Sequence, residues 1–170
     1  MKNYLIEDKK AKNKSFFFKK ENFVFNNKFL NFLEKNYFKH KKDIRICMHK
    51  NSAAKHHDMI LLQQKKNFYL PHKHLRKGET YHILKGKMAC VIFYNNGKIK
   101  SKDVINKNNI FRTPINIYHT MVPLTKYVIY HESKVGPFLK KNDSIFPSWN
   151  KKFKEDKKEI AKFKKSLNLF

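Results

Sequence analysis

The stretch "LPHKHLRKGETYHILKG", residues 70–86, decides how the rest of this chain is read. It gathers His72, His74, Glu79 and His82 between Pro71 and Gly86 in a chain otherwise dominated by lysine. On an extended segment His72 and His74, two residues apart, leave the same face. "LRKG" turns the chain, and Glu79 opens a second run in which Tyr81 and Ile83 share its face and His82 faces away. Antiparallel pairing of the two runs would set Glu79 beside His72 and His74. Lys73, between the histidines, should point outward.

Outward from this stretch the texture stays β-like. The runs "RICMHK", "MILLQQ", "NFYLPHKH", "ETYHILK", "MACVIFY", "KSKDVI", "NIFRTP", "IYHTMVPL" and "KYVIYHES" alternate with Gly, Asn, Pro and Lys punctuation. Such spacing without helical periods between the runs predicts an all-β sandwich or barrel. "YNNGKI" is a hairpin signal and "LKGKM" a tight turn on Gly86. In "RTPINIYHTMVPL", His119 follows Pro114 by five residues on a later strand. If the barrel closes, this imidazole completes a set of three histidines and one carboxylate. Neutral imidazole and carboxylate suit one divalent transition metal, such as Fe, Mn, Zn or Ni. Four protein donors leave positions open on an octahedral ion, the condition of a reactive centre.

The spacing His72, His74, Glu79, Gly86 resembles the first cupin motif, and Pro114, Asn116, His119 the second. With "RICMHK", "PHKH", "ETYHILKGKM", "IYHTMVPL", "HESKVGPF" and "FPSW", residues 44–150 resemble the WbuC-type cupin-fold metalloproteins, associated with O-antigen and surface-polysaccharide gene clusters. The resemblance implies a single-domain jelly-roll β-barrel holding one metal on His72, His74, Glu79 and His119. Lys66 and Asn116 stand where that pattern usually has glycine; Asn tolerates a positive φ, so the second turn can survive.

Around these four, other residues are candidates. Tyr81 shares their face and could donate to the site or act as its acid. Arg45 and His49 could line the pocket mouth and receive an anionic substrate. His131 and Glu132 read equally as a strand end or as support for the site. His56 and His57 should be solvated.

The flanks read differently. Residues 1–43 form an extension, strand-poor at its start, with a short helix from Asn27 that stacks Phe29, Leu30, Leu33 and Tyr37 on one face. Residues 151–170 form a basic amphipathic helix through Phe153, Ile160, Phe163, Leu167 and Phe170. It would dock on its own domain or on a partner subunit, with a membrane surface as the alternative. No apolar run is long enough to span a bilayer.

The formal charge of +26 draws phosphates, but only three of the 39 cations are arginine. Specific base readout recruits the planar Arg fork, so a lysine-rich composition argues against specific nucleic-acid recognition. Two distant cysteines, Cys47 and Cys90, form no disulfide framework and fit half-buried thiols in a reducing cytoplasm. The combined expectation is a cytoplasmic protein, expected as a homodimer, acting on a sugar or nucleotide-sugar by isomerase- or epimerase-like Lewis-acid chemistry. An Fe(II)-dependent dioxygenase and a non-catalytic metal- or sugar-binding module are the alternatives.

Overall fold

The computed structural model describes residues 1–167 apart from 2, 12, 21, 41 and 140–142. Ten strands run in chain order: β1 (Leu5–Asp8), β2 (Lys14–Phe18), β3 (Ile44–Cys47), β4 (His56–Gln64), β5 (Glu79–Lys85), β6 (Lys87–Phe93), β7 (Ile99–Asn106), β8 (Ile110–Thr113), β9 (Tyr118–Pro123) and β10 (Tyr127–Val135). A seven-stranded sheet, ordered β1-β2-β3-β4-β10-β5-β8, faces a three-stranded sheet, ordered β7-β6-β9. The expected all-β, two-sheet domain is what forms.

Side-chain alternation explains the layering. Along β6, "KMACVIF", every residue after Lys87 is buried. Met88 and Cys90 enter the space between the sheets with Ile83, Val128 and Tyr130. Ala89, Val91 and Phe93 point the other way, under Leu167, Trp149 and Phe163. A strand buried on both faces needs a cover on its outer side, and the C-terminal segment supplies it. That segment is two helices, α2 (Lys151–Glu155) and α3 (Lys157–Ser166), rather than one. The break falls at Asp156, whose carboxylate caps α3 by accepting the Lys158 N–H at 2.7 Å. The tail thus docks on its own domain; Phe170 lies outside the described residues. No helix among the described residues is long and apolar enough to cross a membrane.

Helix α1 (Asn27–His40) covers the outer face of the large sheet, burying Phe29, Leu33 and Tyr37 against Ile44, Ile46, Ile60 and Leu62. Asn26 caps it, accepting the Lys28 N–H at 3.0 Å. The start of the chain departs from expectation. Leu5–Asp8 and Lys14–Phe18 are strands, β1 pairing with β2 and β2 running parallel to β3. "KSFFF" carries its own apolar face, Phe16 and Phe18, which packs under α1. That short alternation was hidden among lysines.

Gly86 joins β5 to β6 with φ +89°, and a Cβ there would lie 2.6 Å from Thr125 Oγ1 and 2.8 Å from the Tyr127 carbonyl. Gly86→Ala is therefore expected to cost about 2–3 kcal/mol, from left-handed strain plus displacement of β10. Urea denaturation checks this, and an unchanged midpoint would mean that the turn relaxes freely.

Candidate metal centre

His72 and His74 do not lie on a regular strand paired with Glu79, as the sequence suggested. Pro71 and the turn at 75–78 leave only single bridges: His72 exchanges backbone hydrogen bonds with His119, at 3.0 and 2.9 Å, and Lys73 with Ile145. The segment therefore adds to the edge of the small sheet beside β9. Glu79 reaches the same place from the large sheet, where β5 pairs with β10 and β8. Asn116 holds φ +60°, so the turn before β9 survives without glycine.

One donor atom from each of His72, His74, Glu79 and His119 lies within 4.8 Å of the other three. Glu79, His74 and His119 are buried. Each ring is oriented from behind by a main-chain carbonyl. His72 Nδ1 meets Leu70 O at 2.9 Å, His119 Nδ1 meets Ile117 O at 2.9 Å, and His74 Nδ1 meets Asp143 O. A carbonyl only accepts, so each Nδ1 carries a proton, and in the neutral ring Nε2 is the lone-pair nitrogen.

The Nε2 atoms of His74 and His119 each stand 3.0 Å from Glu79 carboxylate oxygens, which also only accept. Lone pairs facing lone pairs require a positive charge between them, a ring proton or a metal ion. His74 Nε2 is buried without an aligned hydrogen-bond partner despite its short distance to Glu79. Bond lengths of about 2.0–2.1 Å place neighbouring donors of an octahedral ion about 3 Å apart. The donor set thus fits a divalent transition metal in both chemistry and spacing.

Electrostatics sharpen the picture. Burial lowers the His72 pKa to about 4, helped by His119, so this ring is neutral near pH 7. Burial acts the same way on His74, but the Glu79 carboxylate outweighs it and raises that pKa. Burial opposes ionisation of Glu79, yet Lys134 and the two imidazoles hold it well below the usual carboxylate range. Lys134 Nζ bridges Glu79 Oε1, at 2.6 Å, and Glu132 Oε1, at 2.7 Å. Tyr81 donates its hydroxyl to Glu79 Oε2. Burial and Glu79 push the Tyr81 pKa well above 10, so it serves as a fixed donor and not as a titrating acid near neutrality.

A cavity of about 180 Å³ opens onto the cluster, lined in part by Arg45, Tyr69, His72, Glu79, Glu132 and Lys134. Of the proposed pocket residues, Arg45 and Tyr81 reach it, whereas His49 and His131 are not among its lining residues. His49 instead stacks on His57 at 4.1 Å between ring centroids and contacts the Asp58 carbonyl. His131 faces the outside of the large sheet and pairs with Asp58 at 2.9 Å. His57, expected in solvent, is buried beneath Gly136, while His56 is exposed. Cys47 and Cys90 are free and fully buried rather than half-buried.

Sequence reasoning passed over Lys134 and the buried Lys77–Asp143 ion pair that fixes the carbonyl behind His74. Lys134 was detectable: on β10 it shares its face with Tyr130 and Glu132, so choosing Glu132 over His131 would have brought it in. Lys77 and Asp143 are 66 residues apart, and no local pattern joins them.

Two sheets enclosing a His-x-His segment, a facing glutamate and a later histidine decide the architecture. The fold is that of a cupin. Among solved structures, the capsular polysaccharide assembling protein CapF from Staphylococcus aureus matches at TM-score 0.52 and 14% identity, covering 62% of this chain. This chain spans 31% of the length of that CapF chain, about a third. The cupin domain of Schizosaccharomyces pombe Cnp3 matches at 0.46 and 13%, over 59% of this chain and 67% of that one. KdgF from Halomonas sp. matches at 0.46 and 14%, over 56% and 80%. A family model described as a domain of unknown function, DUF6016, matches residues 26–105, which take in three of the four cupin-motif side chains but not His119. No curated protein sequence matches the chain.

Proposed function

We propose that this cupin is a mononuclear metalloprotein of the WbuC type, with His72, His74, Glu79 and His119 as ligands of one divalent transition metal. The observation that carries the reading is the convergence of four donors: each ring Nδ1 is tied to a main-chain carbonyl, and the Nε2 atoms of His74 and His119 stand 3.0 Å from the Glu79 carboxylate, with His72 in the same cluster. A bound ion would supply Lewis acidity toward a substrate carbonyl or hydroxyl. The chain's own residues then have defined tasks. The three main-chain carbonyls fix the tautomers. Tyr81 and Lys134 anchor the two oxygens of Glu79.

The substrate class we favour is a sugar or nucleotide-sugar, in an isomerase- or epimerase-like reaction of surface-polysaccharide synthesis. The resemblance in sequence and the likeness to CapF support it. The cavity beside the cluster measures about 180 Å³. Only the sugar end of such a substrate would enter, leaving a nucleotide to the strongly positive exterior. The two buried thiols suit a cytoplasmic setting.

The decisive experiment is metal analysis after equilibrium dialysis. The parent is expected to hold one zinc or iron per chain, and the His72→Ala/His74→Ala variant, still folded by circular dichroism, less than a tenth of that. Equal metal in the two proteins would sink the assignment.

A further inference from the structure

We infer that the cavity takes a small monocarboxylate, received by Arg45 opposite the metal cluster; this rests on the metal reading above. Arg45 stands on β3 and lines the cavity that also reaches Glu79. Its Nη2 donates to Ser15 Oγ at 3.1 Å and its Nη1 lies 4.0 Å from Met59 Sδ. Its Nε is enclosed and has no hydrogen-bond partner among the described residues. A guanidinium is always charged and offers five donors, so pairing with only a hydroxyl and a thioether leaves most of its capacity unused. Buried donors are nearly always satisfied, so an unpaired guanidinium N–H beside a cavity calls for a partner, which a bound ligand or a water supplies.

The other cation in the cavity is already spoken for. Lys134 is held between Glu79 and Glu132, and Asp43 accepts from the Gln64 N–H at 2.9 Å and the Tyr69 hydroxyl at 2.8 Å. Arg45 is therefore the cavity-lining cation without a carboxylate partner.

Charge balance leads to the same ligand. The charged side chains lining the cavity are two cations, Arg45 and Lys134, and three carboxylates, Asp43, Glu79 and Glu132. Their sum is one negative charge. A divalent ion on the histidines turns this into one positive charge, which a monoanion cancels. A sugar acid supplies that monoanion within the sugar class favoured above, whereas an uncharged polyol leaves the positive charge uncompensated, and a dianion overshoots. Beside buried charges, where the effective dielectric is below that of water, that difference favours a monoanion. A planar carboxylate also matches the guanidinium fork through paired N–H bonds. The cavity of roughly 180 Å³ suits a ligand of small size.

The test compares D-glycerate with glycerol, which replaces the carboxylate by a hydroxymethyl group on the same skeleton. Each is titrated calorimetrically into zinc-loaded protein, zinc-free protein and zinc-loaded Arg45→Met. Glycerate is expected to bind the zinc-loaded parent at least about tenfold more tightly than glycerol, and Arg45→Met to lose about tenfold or more of glycerate affinity. Zinc content measured beforehand should be the same in parent and Arg45→Met. Zinc uptake with equal affinity for the two probes, or with full glycerate affinity in Arg45→Met, would overturn this inference and leave the metal reading standing. Failure of the parent to take up zinc would overturn both.

Discussion

Lys134→Met is expected to destabilise the metal-free protein by about 3–5 kcal/mol, because it leaves buried carboxylates without their cation. In the parent the ammonium sits 2.6 Å from Glu79 and 2.7 Å from Glu132, with its side chain 14% exposed. Methionine conserves much of the volume, so the loss is electrostatic and not a cavity. Zinc should recover part of this loss, since a divalent charge beside Glu79 replaces the ammonium there while Glu132 stays unpaired. The measurement is denaturant unfolding with chelator and with zinc, using Lys151→Met as the exposed control. Lys151 lies 3.8 Å from Glu155 with both side chains largely in solvent, so little change is expected from its loss. A cost below about 1 kcal/mol for Lys134→Met would mean that Glu79 and Glu132 do not depend on this ammonium.

The contrast between these lysines bears on what a sequence discloses. Strand identity was legible in two ways: "ETYHILK" alternates as the half-buried β5 does, and the unbroken apolar run "MACVIFY" matches β6, which is buried on both faces. The four clustered side chains were legible because a small set of donors at fixed spacing has few other uses. Their route into one place was not. His72 and His74 pair with β9 through two main-chain bonds, and nothing local to "LPHKH" distinguishes that partner from β5. Strand parity could point to Lys134, but nothing local separates the buried Lys77 from the exposed Lys151 until topology sets Asp143 beside the first. At His49 and His131 residue type suggested the pocket, but His49 lies past the end of β3 and stacks on His57, and strand parity on β10 turns His131 outward. His57 was misread because "KHHD" looks like a polar loop, while β4 begins at His56 and directs the next ring inward.

Acid should destabilise the metal-free protein progressively between pH 6.5 and about 4, and the histidines account for the direction. His72 has a folded pKa of about 4 against an ordinary value of 6.5. Between these the unfolded chain binds a proton that the folded ring refuses, so stability falls with falling pH across that window. For His72 alone the loss amounts to about 3 kcal/mol at pH 4. His49 is likewise lowered to about 4, by burial and then by the stacked His57, and His57 is lowered by burial and by Lys134. His74 works the other way. With its folded pKa raised, its contribution is present below 6.5 and lost as pH rises through the folded value. Glu79, held well below 4.5, keeps its full contribution above that value and begins to lose it as pH falls through 4.5, so it adds to the decline only at the acid end of this window. Three lowered rings against one raised ring leave a net loss toward acid. Denaturant midpoints recorded from pH 7.5 to 4 in chelator should decline mainly below 6.5, and His72→Gln should flatten the profile. With zinc present the same protons compete for the ring nitrogens, so acid should release the metal over a similar range. A flat profile down to pH 4.5 in the metal-free parent would show that the fold does not hold these imidazoles neutral.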